Sequence, residues 1–288
     1  MDTKYPIKSL SITDFPSLLH EIPDPPKNLW YQGNLPPTDL RLLAVVGSRK
    51  YTSYAKQVID YLFSGLAGYP IAIVSGLALG VDGLAHEAAL KNNLYTLAVP
   101  GSGLDPGVLY PASHRNLAEN ILEHGGGLLS EYPPETSAAT WTFPQRNRIM
   151  AGLAHATLLI EAGAKSGTLI TARLAVDYNR ELLAVPGNIF SDNSYGTHQF
   201  IKLGATVITE PADIIMALGL EPESQSQKVR PTLSINEEKV IQLLNEPRDK
   251  DELIRSLNLA PGEANILLMQ MEMEGYIAYN SPQYCSLI

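Results

Sequence analysis

Cysteine is nearly absent: the chain of 288 residues holds one, Cys285. That excludes a disulfide framework and any cysteine-based zinc site. Long apolar runs are missing as well. A membrane-spanning helix needs about 18 or more uninterrupted apolar residues, and the most apolar stretch, Ile71 to Leu90, is broken by Asp82, His86 and Glu87. The opening MDTKYPIKSL lacks the basic-then-apolar order of a secretory leader. The expectation is a reducing, cytoplasmic location without membrane insertion. Positive charge is scarce: 21 Lys and Arg face 30 Asp and Glu, for a net charge of −9. A protein coated in basic surface is therefore excluded. The deficit is uneven, because residues 41–181 carry 11 basic and 11 acidic groups. A local basic cleft stays open there, since global charge does not decide what one groove binds.

Proline is plentiful at the front. Pro6, Pro16, Pro23, Pro25, Pro26, Pro36 and Pro37 fall within residues 1–40. Proline fixes φ and removes a donor, so this segment reads as an extended arm with short turns. Its apolar stretches, Phe15–Leu19 and Leu29–Tyr31, pack it on the main domain. From Arg41 the pattern becomes strand, glycine turn, helix. Apolar runs at Leu42–Val46, Ile71–Val74, Thr96–Val99 and Leu182–Val185 each end in glycine, serine or proline, and Thr157–Ile160 ends in Glu161-Ala162-Gly163. Helical-period segments lie between them, roughly 53–67, 80–91, 113–124, 167–179 and 196–203. Uniformly apolar short strands alternating with helices predict a doubly wound α/β domain over 41–220, with a parallel sheet covered on both faces. Ligands then sit beyond the carboxyl ends of the strands.

Residues 221–231, EPESQSQKVRP, read as a polar linker. Residues 232–288 carry three short helical patterns, Ile235–Asn245, Lys250–Leu257 and Gly262–Glu274. Ser234 with Glu237 predicts a capping box, and Tyr276–Tyr279 with Tyr284–Leu287 predicts a hairpin. Three helices and a hairpin resemble a winged helix.

The turns hold the chemistry. Gly47-Ser48-Arg49 follows the first strand, and Ser53 opens the next helix. Gly47 admits a close ligand, Ser48 and Ser53 add hydroxyls, and a helix N-terminus favours an anion. Arg49 can fork onto a phosphate, although a tight turn with a capping arginine explains the same three residues. The second turn runs Ser75-Gly76 to Gly83, and the third is Pro100-Gly101-Ser102-Gly103. A later turn, Gly163-Ala164-Lys165-Ser166-Gly167-Thr168, leads into a helix carrying Arg173. Four such turns on one sheet edge point to an anion-binding surface, the competing reading being that α/β proteins use glycine in these turns generally. The segment from Trp141 to Arg148 places Phe143, Arg146, Asn147 and Arg148 together. Arginine pairs with phosphate and aromatics offer stacking faces; core anchoring of Trp141 and Phe143 is the competing reading.

Other chemistries lack their residues. The phosphate loop G-x-x-x-x-G-K-S/T is absent, and Gly101-Ser102-Gly103 lacks the third glycine of a dinucleotide fingerprint. The histidines at 86, 114, 124 and 155 stand singly, without metal-ligand spacing. No nucleophile elbow occurs. No cofactor is called for.

Taken in order, these motifs resemble the DNA-processing protein family DprA/Smf. The carriers are Gly47-Ser48-Arg49, Ser75–His86, Gly101–Asp105, Tyr110-Pro111 with His114, Ser130–Pro134, Phe143–Leu153, Glu161-Ala162 through Arg173, and Ala184–Asn188, a match running from about Pro25 to Asp213. The resemblance implies an extended Rossmann-like domain that binds single-stranded DNA without sequence preference. It also implies a non-enzymatic role in natural transformation, protecting incoming strands and loading RecA recombinase onto them, and a homodimer. The DNA site implied by the resemblance comprises Gly47, Ser48, Arg49, Phe143, Arg146, Asn147, Arg148, Lys165, Ser166 and Gly167, and the reading of the turns adds Ser53, Thr168 and Arg173. Two departures stand out. Many relatives begin with a small helical domain where this chain has the proline-rich arm, and some carry a basic residue where this chain has Thr140. The third helix of the winged-helix segment bears Glu263, Glu272 and Glu274 and neither lysine nor arginine, so that segment is not expected to be the main DNA reader.

The alternative is a nucleotide-processing enzyme of the lysine-decarboxylase-like phosphoribohydrolases, which share the Rossmann superfamily. Their motif P-G-G-x-G-T-x-x-E supplies a catalytic glutamate. Aligned on Gly167-Thr168, this chain has Thr171 in that place, and Glu161 is the remaining candidate base.

Overall fold

The computed structural model describes residues 4–222, 233–280 and 283–286. The chain divides after Pro222 into two compact units.

The first unit holds one nine-stranded sheet. In chain order its elements are β1 (Lys8–Leu10), α1 (Ser17–His20), β2 (Leu29–Gly33), β3 (Arg41–Val46), α2 (Ser53–Leu66), β4 (Ile71–Ser75), α3 (Val81–Lys91), β5 (Tyr95–Ala98), α4 (Arg115–Glu123), β6 (Gly127–Ser130), α5 (Thr142–Leu153), β7 (Ala156–Leu159), α6 (Thr168–Asp177), β8 (Glu181–Ala184), α7 (Tyr195–Lys202), β9 (Thr206–Val207) and α8 (Pro211–Ala217). The spatial order is β1-β2-β6-β5-β4-β3-β7-β8-β9. From β6 to β9 every pairing is parallel, and β1 and β2 add antiparallel. The chain winds outward from β3 through β4, β5 and β6, then crosses back to β7 and winds the other way. The switch point therefore lies between β3 and β7.

Burial on both faces explains the uniformly apolar strands. In β3, Leu43 and Val45 pack into one core with Ile59 and Phe63 of α2 and Ile214 of α8. Leu42 and Val46 face the opposite core, with Ile149 and Met150 of α5 and Ala172 of α6. The two-residue period of a strand sends alternate side chains to opposite layers, so each position must be apolar.

The proline-rich arm differs from the expected turns and extended chain. It supplies β1 and β2, and β2 pairs with β6, Trp30 opposite Ser130 and Gln32 opposite Leu128. Prolines lie outside β2 itself, which leaves its ladder donors intact. Phe15, Leu19 and Ile22 are buried against α5. The arm is thus structurally part of the α/β unit, which begins before residue 41.

The second unit comprises α9 (Ile235–Leu243), β10 (Arg248–Asp249), α10 (Lys250–Leu257), α11 (Pro261–Met273), β11 (Ile277–Asn280) and β12 (Gln283–Ser286). Its antiparallel sheet runs β10-β12-β11, which gives a winged-helix fold. Ser234 and Glu237 form the reciprocal cap of α9. Val240, Leu253, Leu257, Leu268 and Met271 form its own core. The linker expected at 221–231 lies outside the described residues from 223 on, as does Leu287 of the expected hairpin. Among the described residues, no helix is long and apolar enough to cross a membrane.

Candidate functional site

A cleft of about 630 Å³ opens at the switch point, where the β3–α2 and β7–α6 turns splay apart. Its lining includes Gly47, Ser48, Arg49, Phe143, Arg146, Asn147, Lys165, Ser166, Gly167 and Thr168. Ten of the thirteen residues read from the sequence thus meet in one place. Lys50, Asp82 and Asn193 line it too.

Hydroxyl groups shape the rim. The Ser48 hydroxyl donates to Lys50 O at 2.8 Å and accepts from the Lys50 N–H at 3.1 Å. Ser166 Oγ donates to Thr168 Oγ1 at 2.8 Å, and Thr168 Oγ1 donates to Gly47 O at 2.9 Å. The two turns on either side of the cleft are laced together, and the α6 N-terminus is held at its mouth. That end carries partial positive charge.

Arg49 and Lys165 are both exposed. Among the described residues, no ion pair involves either of them. Arg49 sits over the Phe143 ring at 5.2 Å from its centroid. Phe143 lies against Gly101, where an added Cβ would come within 2.6 Å of its ring. The glycine of the third turn is needed for that close approach.

The floor is built differently from the sequence expectation. Arg146 is buried. Its guanidinium donates to the carbonyls of Gly76, at 2.6 Å, and Val99. These carbonyls lie just past the ends of β4 and β5. A Cβ at Gly76 would collide with that guanidinium at 2.1 Å. Asp82 accepts from the Gly76 N–H at 3.1 Å and lies buried nearby. Burial pushes its carboxyl up, opposed by the Arg146 charge. Burial likewise lowers Arg146 to about 10, with Asp82 pulling the other way. Arg146 therefore clamps the ends of two strands through Nη1 and opposes the buried Asp82 charge, while still lining the cleft.

Three expected residues fall outside the cleft lining. Arg148 pairs with Glu131, just past β6, and with Asp24 of the arm, and donates to Asp24 O at 2.7 Å. Helical geometry explains this, since residues two apart on α5 point to different sides. Ser53 is exposed at the first turn of α2. The anion place beside it is already filled: the Glu161 carboxylate accepts from the Thr52 N–H at 3.0 Å and from the Thr52 hydroxyl. Arg173 is exposed farther along α6. Of the residues the sequence reading missed, Lys50 had a visible signal as a second cation beside Arg49. Asn193 reaches the cleft from the turn before α7, donating to Lys50 O at 3.0 Å; its asparagine- and serine-rich surroundings marked only a loop.

Comparison with known proteins bears on this arrangement. A family profile described as DNA recombination-mediator protein A matches residues 8–219, and one described as the DprA winged helix domain matches residues 213–279. Protein Smf of Escherichia coli is 40% identical over 211 residues, which are 73% of this chain and 53% of that protein. The chain thus spans about half the length of that relative. The DNA processing protein DprA of Bacillus subtilis is 37% identical over 223 residues, 77% of this chain and 73% of that one. The solved structure of DprA from Streptococcus pneumoniae matches with a TM-score of 0.68 at 39% identity, covering 74% of each chain. DNA processing protein A from Helicobacter pylori, solved for its single-stranded DNA binding mode, matches with a TM-score of 0.64 at 30% identity, covering 74% of this chain and 95% of that one. The chain belongs to the DNA recombination-mediator protein A family, the DprA/Smf proteins.

Proposed function

We propose that this protein binds single-stranded DNA without sequence preference in the cleft between β3 and β7. The observation that carries the reading is the pairing of two exposed cations that have no ion-pair partner among the described residues, Arg49 and Lys165, with the Phe143 ring in one cleft. Phosphates need charge and directed donors, and every base has a face to stack. The Helicobacter pylori relative, named for single-stranded DNA binding, supports the same ligand.

Binding rather than chemistry is the role. Thr171 stands where the alternative enzyme needs its glutamate, and Glu161 is engaged in capping α2. In the cell the bound strand is an incoming one in natural transformation, shielded and then passed to RecA recombinase. The acting form is a homodimer. The short edge strand β9 leaves its outer side unpaired, and Ile189, Phe190 and Leu203, in the segments leading to it, are 78%, 90% and 80% exposed. Apolar surface of that kind beside an open edge suits a second copy.

The test is fluorescence anisotropy with labelled oligothymidylate and a matched duplex over a salt series. Affinity should be higher for the single strand and fall steeply with salt. Equal or absent binding to both would remove the reading.

A further inference from the structure

We infer that Tyr110 is a second stacking platform, taking the unpaired base of the nucleotide just outside the cleft. This rests on the single-strand reading above. Tyr110 is not part of the cleft lining and 47% of its surface is exposed. Its ring centroid lies 5.6 Å from that of Phe143, with the planes tilted by 56°. Arg49 lies 5.2 Å over the same Phe143 ring, so Phe143, which lines the cleft, contacts both Arg49 inside the lining and Tyr110 outside it. Tyr110 continues the apolar path at the point where the cleft ends.

The mount is rigid although the ring is exposed. The Tyr110 N–H donates to Ser102 Oγ at 3.2 Å. The preceding Leu109 is buried in the core beneath α4. On one side the Gly103 N–H donates to Thr136 O at 2.8 Å and the Asp105 N–H to Pro134 O at 3.0 Å. On the other, His114 Nδ1 lies 2.8 Å from Leu77 O, and Arg115 donates to Gly107 O at 3.0 Å. A ring fixed in place loses little freedom on meeting a ligand, which favours binding.

The local chemistry selects a base over a phosphate. Arg115, the nearest cation along the chain, is directed onto Gly107 O. Exposed Glu135 and half-buried Asp105 belong to the same group of loops. A tyrosine ring offers every base a face without charge. Its contribution must then be insensitive to salt, unlike that of Arg49 and Lys165.

The experiment measures full-length Tyr110→Ala, Tyr110→Leu and Tyr110→Phe with labelled oligothymidylates of about 5 and about 15 nucleotides, across a salt series. Tyr110→Leu keeps apolar bulk against Phe143 but has no aromatic face, so it controls for lost packing. Tyr110→Ala and Tyr110→Leu should weaken the longer oligonucleotide about 5- to 150-fold, leave the shorter unchanged and keep the salt slope. Tyr110→Phe should match the unaltered protein. Unaltered affinity of Tyr110→Ala for the longer strand overturns the inference. So do equal losses on both lengths, which place the effect in the cleft through Phe143, and a loss in Tyr110→Phe as large as in Tyr110→Ala. If the unaltered protein binds neither oligonucleotide, the single-strand reading fails first and the platform with it; if it binds both and the Tyr110 variants are indifferent, only the platform fails.

Discussion

The guanidinium of Arg49 lies 5.2 Å from the centroid of the Phe143 ring, so the cation proposed to meet phosphate and the ring proposed to stack on a base are in contact. On that proposal the contact orders the exposed arginine ahead of the strand. Arg49→Ala should lower single-strand affinity by about 1.5–3 kcal/mol, the worth of a charge-assisted bond. It should also reduce the salt slope by about 0.7, the value of one phosphate contact on a single strand. Arg49→Lys should keep the slope and lose part of the affinity, because an ammonium neither forks nor stacks as a guanidinium does. Anisotropy titrations at several salt concentrations check all three outcomes. An unchanged slope in a folded Arg49→Ala protein would set the assignment aside.

Arg146 should behave as a fold residue. It holds Gly76 O and Val99 O and faces buried Asp82. Arg146→Gln should lower stability by about 3–5 kcal/mol, the usual cost of leaving one member of a buried charge set unmatched. Asp82→Asn should also destabilise, and the double variant should lose less than the sum of the two. Chemical denaturation of the three variants reads this out. Full additivity would mean the two charges do not speak to each other.

Arg148 carries a related prediction on the opposite side of α5. Its partners are Glu131 and Asp24, and Glu131 is pushed up by burial against the pull of Arg148. Arg148→Ala should loosen the arm, seen as faster amide exchange in β2 and α1, while single-strand affinity of the folded protein stays within about twofold. A binding loss as large as that of Arg49→Ala, with the arm still protected, would return Arg148 to the DNA site.

Those arginines mark where sequence reading succeeds and where it stops. The parallel core was legible because strands buried on both faces must be apolar throughout, as in Leu42–Val46 and Ile71–Val74. The glycine turns were legible because close approaches demand them, at Gly76 under Arg146 and Gly101 under Phe143. Helix α5 was read only as a chemical cluster: Pro144 lies in its first turn, where proline is tolerated, and its buried arginines resemble surface residues in a one-dimensional pattern. Their partners are backbone carbonyls and carboxylates from distant segments, which no local spacing reveals. β2 was hidden for the same reason, since its partner β6 is nearly a hundred residues away. β6 itself is four residues long and opens on glycine.

His86 gives the first unit an acid-sensitive point. Its Nδ1 lies 2.7 Å from Thr96 Oγ1, and that hydroxyl donates to Ile73 O at 3.1 Å. Nδ1 must therefore carry the proton, and Nε2 is buried without a hydrogen-bond partner among the described residues. Burial, with His114 and Arg146 nearby and against the opposing pull of the Ser75 backbone, lowers the group from 6.5 to about 3. The unfolded chain takes up a proton below about pH 6.5 that the folded one refuses until about 3. Stability from this group is complete above pH 6.5 and declines as pH falls toward 3, by at most about 1.4 kcal/mol per pH unit. Asp82 and Glu131, both raised, act in the opposite sense. The clean measurement is thus the difference between the unaltered protein and His86→Gln, which should narrow as pH drops from 6.5 to 4. A constant difference would show that His86 does not titrate there.

The winged-helix unit should contribute little to single-strand affinity. Its third helix, α11, buries Ala264, Leu268 and Met271, so the recognition face that winged helices usually present is the opposite one. That face carries Ile266, Met269 and Met273, exposed by 61%, 64% and 83%, and the helix bears Glu263, Glu272 and Glu274 and neither lysine nor arginine. Phosphates gain nothing from apolar groups and are repelled by carboxylates. The first unit, by contrast, holds both cores that flank the sheet and every residue lining the cleft. A chain ending at Pro222 should therefore keep single-strand affinity within about threefold of the full chain, with an unchanged salt slope. Circular dichroism and sedimentation must first establish that the shortened protein is folded and has the oligomeric state of the full chain. A folded protein of that state that lost binding as severely as Arg49→Ala would place a strand-binding surface beyond residue 222 and overturn the assignment.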